Sequence, residues 1–463
     1  MRRLVLLVLP LLAAACTPPA AEVAGRRSPM AEANLLPAQL PPMKQFKPTP
    51  VQPTPRANAD IAEDFLDLAF RMESGREIER LSRFEGPVRV SLASGAPATL
   101  SRDLDHLLAR LRDEARLDIA TAAPGEVAQI VIETPSRADI QRTVPGAACF
   151  VVPRVAGWEE FRRNRNGTAL DWTTLETRER ATVMIPRDVS PQEMRDCLHE
   201  EVAQALGPLN DLYELPDSVF NDDNIHGALT GFDMLILRAY YAPELASGMT
   251  RDEVAARLPG VLARLHPAGE RVASEARTPT PRAWIDAIEG AMSPGGSPAR
   301  RRSAAQSAMH IAERAGWQDN RLGFALYAEG RLLLGSDPGA AVGAFKRAFE
   351  VYRARYGNSS IHAALLSVQL AAYHLSAGEA DAVLAVTARA IPAARRAENA
   401  ALLATLMMLR AEALDLAGRK REAEAVRLDS LGWAQYGFGP AQAVRARMAE
   451  IAALAPRRMS KGN

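Results

Sequence analysis

The sequence predicts two folded parts in tandem, an α+β domain over residues 58–248 and an all-α repeat array over residues 301–457. Three observations carry this. From 58 to about 245, alternating apolar segments interleave with helical ones, which suits an α+β domain. Beyond 300, one helical pattern follows another with no strand pattern between them. There, helices end at Gly335, Gly378 and Gly418, a repeat of about forty residues. A length of 463 residues suits two or three domains. A hydrophobic share of 48% is enough to build their cores.

The formal net charge is +1, so no global field recruits nucleic acid or acidic substrates. Aromatic residues make up 5%, too few to suggest stacking platforms for single strands. The opening "MRRLVLLVLPLLAAAC" has a basic start, a short apolar run and small residues before Cys16. That is a secretory signal over residues 1–16. Its end resembles a bacterial lipobox, which implies lipidation of Cys16 and a membrane-anchored protein of the bacterial envelope facing the periplasm. The alternative is a plain signal peptide cut nearby.

With Cys16 assigned to lipid, Cys149 and Cys197 remain. In an oxidising compartment two cysteines suggest one disulfide, and two separate buried thiols are the alternative. A loop of this length is stabilised by about 4 kcal/mol when closed. Residues 17–57 are proline-rich without periodicity and read as an extended spacer.

The elements follow in order. "DIAEDFLDLAFRM" is an amphipathic helix and "GPVRVSLA" an alternating strand. "LSRDLDHLLARLRDEARL" is a helix with Ser101 as its expected cap. "VAQIVIET", "AACFVVP" and "ATVMIP" read as strands. "SPQE" opens the next helix, with Ser190 as cap, Pro191 in the first position and Glu193 turned back to the cap. Thr230 and Asp233 form a capping box before "FDMLILRAYYAPEL". Two more helices, in a connector over 249–300, lead to "SPGGSPARRRSA", which reads as a break.

The helices after 300 pair into three hairpins. Ala341, Phe345 and Ala348 sit at offsets that resemble the tetratricopeptide consensus. Stacked pairs of this kind bury a continuous core and leave a concave face for protein partners. An unspecialised helical bundle is the alternative. His310, His362 and His374 lie on helical patterns and read as packing or surface residues.

One stretch bears on chemistry: "CLHEEVAQALGPLND", Cys197 to Asp211. A zincin helix needs two histidines four apart, so that both imidazoles leave one face toward one zinc. The glutamate after the first histidine then polarises the metal-bound water. Starting from His199 puts Ala203 in the second ligand position, which cannot bind. Starting from Glu200 puts Glu201 on the catalytic glutamate and Gly207 at the turn. The ligand positions become Glu200, Gln204 and Asn210. Downstream, Ser218, Val219, Phe220 and Asn221 resemble the turn beneath such a site, with Phe220 in place of methionine.

Together "CLHEEVAQALGPLND", "DSVFNDD" and "LTGFDMLILRAYYAPEL" resemble the bacterial domain-of-unknown-function family numbered 2927, over roughly residues 58 to 245. The resemblance implies an envelope lipoprotein with a metzincin-like (zincin-like) core and no established reaction. The helical repeats lie outside it.

The oxygen-only set lacks the imidazole and thiolate that zinc prefers, so no metal is expected; zinc or calcium is the alternative. A second calcium reading places Asp222, Asn224, His226, Gly227 and Asp233 on an EF-hand-like spacing, but Asp233 is better explained as a helix cap. His199 and His226 read as surface or hydrogen-bonding residues. The expected function is non-enzymatic: a binding or scaffold lipoprotein acting through its repeats and a metal-less zincin-like domain. The alternative is a peptidase-like or cell-wall-directed hydrolase with Glu201 as general base.

Overall fold

The structure is a computed structural model that describes residues 40–47, 52–275, 278–293 and 295–456. The signal segment, Cys16 and residues 17–39 of the spacer lie outside the described residues. The chain divides into two compact units. One is built on Lys47–Val189 with Glu193–Pro279, the other on the chain from Thr280 onward, to which residues 40–46 also belong. The connector expected over 249–300 is therefore divided between the two units, with the boundary at Pro279.

The first unit is α/β. Its helices and strands run α1 (Asn58–Ala69), β1 (Val88–Leu92), α2 (Ala98–Asp113), β2 (Ile119–Thr121), β3 (Ile130–Glu133), α3 (Arg137–Thr143) and β4 (Phe150–Pro153). Then come α4 (Trp158–Asn164), β5 (Ala181–Met184), α5 (Pro191–Leu206), α6 (Gly231–Tyr240) and α7 (Arg251–Leu265). One sheet holds the five strands in the order β2-β1-β3-β5-β4. β1 pairs in parallel with β2 and β3, β3 pairs in parallel with β5, and only β4 is antiparallel. β5 is buried at all four positions, as expected of a strand covered on both faces.

Period-2 alternation sends neighbouring side chains to opposite faces. Val151 and Val183 join the main core with Ile130, Leu104, Leu198 and Phe232. Phe150 and Met184 join a smaller core with Ile140 and Phe161. Helix α5 thus lies against the principal core, through Met194, Leu198, Val202 and Ala205.

Three local expectations change. Helix α2 begins at Ala98 after Pro97, so Ser101 lies inside the helix and does not cap it. Proline's fixed φ starts this helix without a side-chain acceptor. β2 is only three residues long, too short to show a period. Residues 52–57, read as spacer, are packed: Thr54 is buried and Arg56 pairs with Asp64 and Asp217. The Arg56 guanidinium also lies 4.6 Å from the centre of the Phe232 ring. Proline-rich backbone loses little entropy on docking, so few contacts hold it.

The second unit is all-helical: α8 (Arg282–Met292), α9 (Pro298–Arg314), α10 (Asn320–Leu333), α11 (Pro338–Tyr356), α12 (Ile361–Ser376), α13 (Ala380–Arg396), α14 (Ala400–Leu416), α15 (Lys420–Phe438) and α16 (Ala441–Ala452). The arginine-rich stretch read as a break is the start of α9, with Ser297 capping and Pro298 in its first turn. Helices α10, α12 and α14 are buried along most of their length, while α11, α13 and α15 bury one stripe each. Gly378 and Gly418 take positive φ after α12 and α14, the left-handed stop that favours glycine. Ala341, Phe345 and Ala348 are all buried. No helix among the described residues is long and apolar enough to cross a membrane.

Candidate functional site

Helix α5 carries Glu200, Glu201 and Gln204, and its two ends are fixed differently. A disulfide joins Cys197, in its second turn, to Cys149, the residue before β4. At the other end the last carbonyls are gathered by buried Arg178. Its guanidinium donates to Gln204 O at 2.6 Å, to Ala205 O at 2.7 Å and to Gly207 O. A cation at a helix C-terminus is favoured by the orphan carbonyls and the macrodipole. The Tyr241 hydroxyl donates to Leu206 O at 2.9 Å. Gly207 is required where it stands: a Cβ there would meet the Tyr240 ring at 2.9 Å. Sequence reasoning found Gly207 but missed Arg178, because a lone arginine in a loop carries no pattern.

The three ligand-equivalent side chains do not form one open set. Asn210 is buried, and its amide donates to the Asp67 carbonyl at 3.0 Å. Gln204 is buried, and its amide donates to Asp211 Oδ2 at 3.3 Å. Glu200 keeps some exposed surface, yet its carboxyl is enclosed. Burial pushes Glu200 well above the usual carboxylate range, and the negative charges of Asp222, Glu73 and Asp196 add to this. Among the described residues, no group of three or more His, Cys, Asp or Glu side chains has the arrangement to hold a metal ion.

Glu201 is 1% exposed, and neither carboxyl oxygen has a hydrogen-bond partner. Burial raises its pKa well above the ordinary value, with Glu200 and Glu73 contributing. Asp211 is raised in the same way, first by burial and then by Glu73, Asp222 and Glu200. These carboxyls favour the protonated form because like charges in a low-dielectric site cannot all ionise. Asp211 and Asp222 lie close in sequence to the motif. Glu73 comes from the loop after α1 and gave no sequence signal.

The turn Ser218–Val219–Phe220–Asn221 is buried throughout. Asp233 organises it: Oδ1 accepts from Ser218 Oγ at 2.5 Å, and Oδ2 accepts from Val219 N at 3.2 Å and Thr230 N at 2.7 Å. Thr230 and Asp233 complete the expected capping box of α6. Burial raises Asp233 to about 6 against these hydrogen bonds. Both Asp233 oxygens thus serve the turn and the helix cap. Asn224 donates to Asp222 O at 2.8 Å, and His226 Nε2 lies 3.1 Å from Pro216 O.

His199 is buried, and its Nδ1 accepts from Leu229 N at 3.2 Å. Burial, with Arg110 and Arg195 nearby, holds it well below the usual histidine range. It is a neutral hydrogen-bonding residue. In the second unit His362 packs on Tyr356 and Tyr352, His374 bonds Glu379, and His310 is exposed. A groove of about 420 Å³ lies over Leu322, Leu326 and Val351, with Lys346 and Glu350 on its rim.

No curated protein matches the chain. A solved structure described as "Crystal structure of BtubC (BKLC) from P. vanneervenii" aligns at 15% identity over 50% of this chain and 78% of that chain. Its TM-score of 0.28 is too low to bear on the fold. Residues 58–260, which include every candidate position on α5 and the turn after it, match the family described as "Protein of unknown function (DUF2927)".

Proposed function

We propose that this chain is a non-enzymatic binding or scaffold protein of the bacterial envelope, anchored through lipid on Cys16. It acts through tetratricopeptide-like helical repeats, and its metzincin-like domain serves as a structural platform. The single observation that carries this is the commitment of Asn210 to the Asp67 carbonyl. A third ligand position spent on backbone leaves Glu200 and Gln204 without a converging partner. Glu201, sealed in the core, has no access to the water a general base must activate.

The alternative, a hydrolase with Glu201 as base and Glu200, Gln204 and Asn210 as ligands, has the raised carboxyl pKa values in its favour. Elemental analysis of the purified full chain separates the two. The binding reading expects no stoichiometric zinc or calcium. One equivalent of metal per chain, lost on Glu200→Ala, overturns it.

A further inference from the structure

Residues 40–46, "LPPMKQF", lie along α15 as a strap. Two contacts use the strap's main chain. Lys44 N donates to Gly432 O at 3.0 Å, and the Gln435 amide donates to Pro41 O. Three contacts use its side chains. The Lys44 ammonium pairs with Asp429 and lies 5.7 Å from the centre of the Trp433 ring. The Phe46 ring stacks on Trp433, centroids 4.6 Å apart and planes inclined by 30°. Arg395 approaches the same indole, at 5.4 Å.

Helix α15 is shaped for this crossing. Gly432 sits in the helix interior, where glycine costs about 1 kcal/mol relative to alanine. A Cβ there would lie 2.8 Å from Lys44 Cγ and 3.0 Å from Pro42 O. The helix therefore gives up intrinsic stability at the point where the strap's backbone passes. Main-chain hydrogen bonds with side-chain pockets at alternate residues are how protein surfaces read extended peptides. Proline-flanked segments suit such a surface because they are extended before they bind.

We propose that the face of α15 around Asp429, Gly432, Trp433 and Gln435 is a peptide-binding site, occupied in cis by residues 40–46. Its partner in trans is an extended, proline-flanked protein segment carrying a lysine two residues before an aromatic. The strap is a built-in competitor. Tethering gives it an effective concentration on the order of mM, so a partner binds only weakly until the strap is released. The proposal rests on the binding reading above and names the class of partner for the repeat unit.

The test is fluorescence anisotropy with a labelled synthetic peptide of sequence LPPMKQFKP and the full chain. The Lys44→Ala/Phe46→Ala variant, with its strap released, is expected to bind the peptide at least about tenfold more tightly than the wild type. Adding Gly432→Ala to that variant is expected to abolish the gain while leaving thermal unfolding intact, because alanine favours the helix. No binding to the released chain, or equal binding with Gly432→Ala, overturns the peptide site. The scaffold reading is tested separately by the Glu201→Gln complementation described below, so the two can fail independently.

Discussion

The side-chain amide of Asn210 donates to the backbone carbonyl of Asp67 at 3.0 Å, tying the loop after α5 to helix α1. Asn210 is thereby a structural fastener. Asn210→Ala leaves a part-buried carbonyl without this donor. It should destabilise the chain by about 1–2 kcal/mol and leave metal content unchanged. Urea denaturation and elemental analysis of the same preparation check both outcomes.

Glu201 is a buried polar group with both oxygens unpartnered. Glu201→Met keeps the volume roughly constant and removes the unmet polar atoms. It should stabilise the chain by about 1–3 kcal/mol, read as a higher denaturation midpoint at neutral pH. A destabilised Glu201→Met variant would show that the carboxyl has a partner.

That gain should depend on pH with a defined sign. Glu201 has a folded pKa raised above its unfolded value. The stability it contributes is therefore fully present below the unfolded pKa and lost as pH rises through the folded pKa. The advantage of Glu201→Met over wild type should be smallest near about pH 4 and should grow as pH rises. Asp233 follows the same sense, its contribution lost through about 6. His199, held low, works in the opposite sense. Both cancel when variant and wild type are compared at each pH by urea denaturation.

Arg178 holds three carbonyls at the end of α5 while its guanidinium lies 4.9 Å from the centre of the Trp172 ring. Arg178→Met leaves these buried acceptors unmet and should cost about 3–5 kcal/mol. Arg178→Lys should recover only part of this, because an ammonium cannot match the planar fork. Full stability of Arg178→Met would contradict this role.

Much of the fold was legible because local signals agreed with the packing. The alternation in β1, the apolar runs of β3, β4 and β5, the capping box at Thr230 and Asp233, and the glycines after α12 and α14 each mark an element directly. The pairing of Cys149 with Cys197 was expected from their number and is present. What the sequence did not reveal depends on contacts between distant segments. Arg178 at the end of α5, Glu73 beside Asp211, and the docking of residues 40–46 on α15 have no local signature. Ser101 misled because a capping residue one turn inside a helix looks the same as one at its start. The motif showed which residues share α5 and its following loop, but not that the amide of Asn210 is spent on the Asp67 carbonyl.

The central claim is that α5 is a structural element and that function resides in binding. Complementation of a strain lacking this chain by Glu201→Gln, with protein level checked by immunoblot, tests it most directly. The account predicts full complementation at wild-type level. Loss of complementation by a folded, normally abundant Glu201→Gln protein would contradict it and assign the carboxyl a catalytic role.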